Sequence, residues 1–246
     1  MKNTAVIVAH EPQESGYYLL RLHAPELITQ VQIGQQLQLS YEQTLFPLLP
    51  IGRLHPHQGW IDIFYPETPH IALITQLRQL PISSSLHCTR ITGTALHWQT
   101  DAPCLIMAEE HALGSIMGIA AQLKQQKHRT NLTLLTLTDT PPFTPCPSRL
   151  IVPSLPVDVI AALPLLEDWQ LASRLVHSDA VGCFSGEIQQ LAAQWLDNLA
   201  APNTCQILAL GSATFLAACQ QTANIYQCSY QCMLIDFALN PVEELT

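Results

Sequence analysis

Charge is scarce in this chain. Only 12% of its 246 residues are Asp, Glu, Lys or Arg, and 10 basic residues face 19 acidic ones, a formal net charge of −9. No basic run occurs, which argues against a nucleic-acid partner, because phosphate tracking rests on clustered Lys and Arg. Long apolar runs are missing as well. No stretch reaches the roughly 18 uninterrupted apolar residues of a membrane span, and the N-terminal MKNTAVIVAHEP has too short an apolar run for a secretion signal. The expectation is a cytoplasmic protein with no membrane segment. A metal-binding cysteine pattern is lacking too. The eight cysteines are scattered through apolar segments, as reduced core cysteines are. Cys228-x3-Cys232 has no further ligands at similar spacing, so no metal site is expected and the pair reads as packing on one strand face.

What is present is apolar and patterned, with 48% hydrophobic residues. Up to about residue 98, short runs of alternating character are separated by turn residues: Ala5 to His10, Tyr17 to His23, Gln36 to Leu39, Trp60 to Tyr65 and Leu86 to Gly93, with one helix at Ile71 to Leu80. That spacing predicts a small antiparallel β-barrel over residues 1–99. After Thr100 apolar strands alternate with helical periodicity, which predicts a doubly wound α/β domain with a parallel sheet over residues 100–246. Its expected strands are Cys104 to Ala108, Leu132 to Leu137, Ser148 to Val152, Ser173 to His177, Gln206 to Leu210 and one between Cys228 and Phe237. Its expected helices are Ala112 to Gln126, Val157 to Asp168, Gly186 to Leu199 and Ala213 to Thr222, and Thr140 to Pro147 reads as an exposed proline-rich loop.

Within this second half, PCLIMAEEHALGSIMGIAAQLK, Pro103 to Lys124, runs from a buried strand through a tight turn into an amphipathic helix. Such a turn is where α/β proteins cradle a diphosphate, using glycines and the positive end of the helix. Here it is Glu109-Glu110-His111. Two carboxylates suit the helix dipole but repel a diphosphate and fill its space.

A small barrel followed by an α/β domain resembles the ferredoxin-NADP reductase superfamily, and within it the electron-transfer subunits of dihydroorotate dehydrogenases. The resemblance runs along QIGQQLQLS (Gln32 to Ser40), FPLLPIGRLHPHQG (Phe46 to Gly59), RITGTALHW (Arg90 to Trp98), GCFSGEIQQLAAQWL (Gly182 to Leu196) and ILALGSATFLAA (Ile207 to Ala218). It implies an FAD-binding barrel and an NAD(P)-binding domain. The family's Arg-Pro-aromatic-Ser strand falls on Phe46, Pro47, Leu48 and Leu49, where only the proline remains. Loss of the arginine forfeits a charge-assisted diphosphate contact of roughly 1.5–3 kcal/mol. The family's second diphosphate contact, Gly-Thr, falls near Leu73-Ile74, and its Cys-Gly-Pro near the nicotinamide becomes Leu210-Gly211-Ser212. The family's cysteine-rich iron-sulfur tail is not expected, because MLIDFALNPVEELT follows Cys232.

The resemblance and its departures together imply a ferredoxin-reductase-like protein with decayed cofactor sites. Such a protein would be a non-catalytic binding or regulatory subunit for a protein partner or a small apolar ligand. The alternative is an active FAD-dependent oxidoreductase passing electrons from NAD(P)H to a protein or small-molecule acceptor. In that case Arg53 or Arg90 would approach the diphosphate, Thr92, Gly93 or Thr94 would touch the flavin, and Gly211 and Ser212 would flank the nicotinamide. NAD(P) is disfavoured, FAD stays open and no iron-sulfur cluster is expected. A third reading makes Glu109, Glu110 and His111 a site for acid–base chemistry in the cleft; against it stands a solvated helix start. His55-Pro56-His57 reads as a solvated turn, Asp62 as the outward residue of a half-buried strand, and Cys183 as a thiol without a positive neighbour. Trp98, Trp169 and Trp195 read as packing residues.

Overall fold

Alternation of apolar and polar residues is realised in six strands: β1 (Thr4–Pro12), β2 (Tyr17–His23), β3 (Gln36–Tyr41), β4 (Thr44–His55), β5 (Trp60–Pro66) and β6 (Ser85–Thr92). They are drawn from a computed structural model that describes residues 4–13, 16–67, 72–99, 101–124, 130–138 and 141–235. The strands pair antiparallel into a closed barrel in the order β1-β2-β5-β4-β3-β6. Closure removes both sheet edges. Leu20, Leu22, Leu37, Leu39, Leu49, Ile51, Ile61 and Ile63 are fully buried and form its interior, each contributing roughly 1.5–3 kcal/mol relative to exposure. Helix α1 (Ala72–Gln79) crosses between β5 and β6 and buries Ile74 and Leu77.

The second half begins with β7 (Cys104–Glu109), a single 3-10 turn (Glu110–Ala112), α2 (Leu113–Leu123) and β8 (Asn131–Thr136). A short ribbon, β9 (Cys146–Pro147) with β10 (Ala161–Ala162), leads to α3 (Pro164–Asp168) and β11 (Ser173–Val176). Then follow α4 (Ile188–Leu196), β12 (Gln206–Gly211), α5 (Ala213–Tyr226) and β13 (Ser229–Leu234). The parallel sheet has the order β11-β8-β7-β12-β13. Its inner strands β7 and β12 are buried on both faces, as a covered parallel sheet requires, whereas the edge strand β13 is partly exposed. Cys104, Ile106 and Ala108 face the layer of α2 and the barrel, whereas Leu105 and Met107 pack against α4 and α5.

The barrel and the doubly wound sheet match the expected fold class. Two expected elements differ. Ser148 to Val152 is not a strand: the buried Glu167 carboxylate accepts the Ser148 hydroxyl (2.5 Å) and the Arg149 N–H (3.0 Å), which diverts this backbone from a ladder. Of the helix expected at Val157 to Asp168, only Pro164–Asp168 forms, with Pro164 in the first turn. Ile71, Gln126, Thr140 and Phe237, which bound four expected elements, lie outside the described residues.

Candidate functional site

Outside the barrel, β2, β4 and β5 present the side chains that their interior alternation excludes. Arg21 and Asp62 are cross-strand partners on β2 and β5. Arg21 Nε donates to Asp62 Oδ1 at 2.6 Å and its terminal nitrogen to Oδ2 at 2.8 Å, while His55 Nε2 lies 2.9 Å from the same Oδ2. The Arg21 guanidinium also covers the Trp60 ring at 5.0 Å. Burial pushes the Asp62 carboxyl up, but the bonds from Arg21 and His55 outweigh it and hold the group below its ordinary range. The same bond to Asp62 raises Arg21 despite its partial burial. Asp62 does point outward as expected, yet it is only 7% exposed, and His55 is held by it rather than solvated in a turn.

Helix α2 lies directly on β4 and β5. Gly118 faces the Gly52 carbonyl so closely that a methyl group there would collide with it, and Gly114 packs against Phe64 in the same way. Ser115 Oγ donates to the Ile51 carbonyl at 2.9 Å. Beside this seam is a cavity of about 400 Å³, within the range of small-molecule sites. Leu19, Phe64, Met117, Phe143, Leu166 and Trp169 give it an apolar wall, and Arg21, Asp62 and Arg53 contribute its charges. Arg53 stands over the Trp169 ring at 5.5 Å, and Lys124 Nζ approaches the same ring at 5.0 Å.

A second cluster sits at the carboxyl ends of the parallel strands. The chain leaves β7 toward β8 on one side and reaches β12 on the other, so Glu109 stands where ligands of open α/β sheets bind. Its Oε2 accepts the Ser212 backbone N–H at 2.5 Å, and Ser212 Oγ lies 3.2 Å from Oε1. The His111 ring is 3.5 Å from the same carboxylate. Glu110 turns to the β8 side, where it accepts the Thr138 N–H (3.0 Å) and hydroxyl (2.7 Å). Glu109 and His111 are thus brought together, while Glu110 serves a different loop.

The seven residues named for cofactor contact are dispersed. Arg53 lines the cavity. Thr92 closes β6 opposite Gln36, and Gly93, in a left-handed conformation (φ 84°), packs on the Gly34 carbonyl beside Thr94. Gly211 and Ser212 adjoin Glu109. Arg90 is exposed on β6. Phe46 and Leu49 belong to the barrel interior. Trp195 packs in the second core and Trp98 and Trp169 pack against the first, as expected, and Trp169 also lines the cavity. Burial raises the Cys183 thiol, so nothing activates it. Among the described residues no group of three or more His, Cys, Asp or Glu is placed to hold a metal ion, and no helix is long and apolar enough to cross a membrane.

No family model matches the sequence, and no curated protein matches it. Solved structures do. The NADH-dependent reduced ferredoxin-NADP oxidoreductase, described for flavin-based electron bifurcation, superposes with a TM-score of 0.69 at 10% identity over 94% of this chain and 76% of its own. A Neisseria gonorrhoeae ferredoxin NADP+ reductase with bound FAD and NADP gives 0.65 at 10% identity over 94% and 98%. The FAD/NAD-binding domain of Vibrio cholerae nitric oxide dioxygenase gives 0.67 at 10% identity over 95% and 99%. The chain therefore has the two-domain fold of FAD/NAD-binding electron-transfer reductases. Fold does not fix function, which resides in the site.

Proposed function

We propose that this chain keeps the reductase architecture without its dinucleotide chemistry and acts as a non-catalytic binding or regulatory subunit. One observation carries this reading: the Glu109 carboxylate holds the Ser212 N–H at the start of α5. A helix N-terminus at this crevice is what a diphosphate would use. Here the chain supplies the anion itself. A diphosphate would have to displace Glu109 and then lie near two carboxylates, each unit-charge repulsion being roughly 4 kcal/mol at about 4 Å near a protein surface. The residues present do not suit NAD(P) there. On the barrel, α2 rests on β4 without a gap at Gly118 and Gly52, and the β4 positions that resemble a flavin-binding strand are apolar and buried at Phe46 and Leu49.

The test is the visible spectrum of the protein as purified, repeated after incubation with excess FAD and gel filtration, together with NADH and NADPH titrations. The expected result is a colourless protein that binds none of the three. Stoichiometric flavin would overturn the proposal and favour an FAD-dependent oxidoreductase, a reading that draws on the FAD bound to the Neisseria gonorrhoeae reductase and on Arg53 at the cavity wall.

A further inference from the structure

We infer that the cavity between the barrel and α2 is a binding site for a planar aromatic monocarboxylate, with Arg53 as its anion-recognising group. The inference deepens the binding-subunit reading and rests on it. Three observations combine. The wall is mainly apolar and includes the aromatic side chains of Phe64, Phe143 and Trp169, which suits an aromatic ligand. The wall's charges do not cancel. Asp62 is matched by Arg21 and His55, whereas Arg53 forms no ion pair among the described residues. Arg53 is thus the cation of the cavity wall that an incoming anion can pair with. Finally, the Arg53 guanidinium carbon lies 5.5 Å from the centroid of the Trp169 ring. A guanidinium there offers N–H donors to a bidentate carboxylate beside an aromatic wall.

Charge count limits the ligand. Among the lining residues Arg21 is paired with Asp62, so the remaining guanidinium, that of Arg53, balances a single negative charge. A dianionic phosphate monoester would leave uncompensated charge in an apolar cavity. The volume of about 400 Å³ takes one fused-ring molecule.

The experiment is calorimetric titration of the full chain with naphthalene-2-carboxylate and with its neutral isostere naphthalene-2-carboxamide. It is repeated on Arg53→Met and on Arg149→Met, which removes a guanidinium 77% exposed and away from the cavity. The carboxylate is expected to bind one per chain, the carboxamide and Arg53→Met each to weaken binding by about tenfold or more, and Arg149→Met to leave it unchanged. Circular dichroism melts establish that both variants are folded. No binding of either compound overturns the site. Equal binding of both, or an Arg149→Met loss equal to that of Arg53→Met, overturns the role of Arg53. An FAD titration run alongside separates the two claims: flavin binding contradicts the cofactor-free reading, whereas failure of the carboxylate alone contradicts only the ligand assignment.

Discussion

Ser212 donates its backbone N–H to Glu109 Oε2 across the crevice between β7 and β12, at 2.5 Å. Ser212 is the N-cap of α5 but makes no side-chain cap bond to its own helix. The helix is instead capped from the neighbouring strand by a carboxylate, whose charge also complements the helix dipole. The last residue of β7 thereby ties the central strand of the sheet to its neighbour β12.

Replacing Glu109 by Ala is expected to cost about 1.5–3 kcal/mol, the worth of a hydrogen bond to a charged group, read as a lower midpoint in urea denaturation. The same variant exposes the α5 N-terminus and is expected to gain inorganic pyrophosphate binding that the parent protein lacks. A variant as stable as the parent would show that the carboxylate does not hold the crevice.

Gly118→Ala reverses a usual sign. In an exposed helix interior this change adds stability of roughly 0.5–1 kcal/mol. At this position the added methyl meets the Gly52 carbonyl and the Ile33 side chain, and a strand carbonyl cannot rotate away as a flexible side chain can. The expected result is a loss of about 1–3 kcal/mol, measured by chemical denaturation.

Thiol reactivity should be confined. Cys232 is exposed, whereas Cys88, Cys104, Cys205 and Cys219 are buried, and burial raises the thiols of Cys88, Cys146, Cys183, Cys205 and Cys228, with Cys219 pushed up to about 12. Titration with a chromogenic disulfide reagent under native conditions is expected to show one fast thiol, lost in Cys232→Ser. Several fast thiols would mean that the parallel sheet opens locally.

Much of the fold was legible because its signals are local. Tyr17–His23 is a short aromatic and apolar run bounded by turn residues and is a strand over those residues, and the 3.6-residue periodicity after β7 is helix α2. β4 was legible only through family resemblance, since Pro47 and Pro50 demote a strand by removing donors. The structure accommodates them with register shifts toward β3 and β5 on either side. Ser148 to Val152 misled because its apolar run says nothing of Glu167, a residue far enough along the chain that its claim on that backbone is tertiary.

The candidate site was less legible. The Glu109-Glu110 turn stood out because it breaks a local rule for phosphate cradles, but the Ser212 and Thr138 amides it serves come from the segments that follow β12 and β8. Trp169 and Arg53, 116 positions apart by subtraction of their numbers, meet only once the barrel and the sheet pack together. One signal was available: Arg21 and Asp62 are opposite charges at outward positions of apolar strands, flanked by Leu and Ile, where a charge needs a partner.

Asp62 gives the pH dependence of that pair. Its carboxyl is held below the ordinary value near 3.8, so on acidification the unfolded chain binds this proton before the folded one does. The stabilisation is therefore complete above the unfolded value and is lost as pH falls through the folded value. At neutral pH Asp62→Asn is expected to cost about 1.5–3 kcal/mol, since it weakens the bonds to Arg21 and His55 and leaves Arg21 without its counter-charge; the partial exposure of that guanidinium keeps the loss below that of a fully buried pair. Urea denaturation of both proteins across the acid range should show the gap between them narrowing toward zero as Asp62 is protonated in the parent. A gap that stays constant with pH would assign the loss to packing around the amide, and the Arg21–Asp62–His55 network would then be a geometric rather than an electrostatic support of the cavity wall.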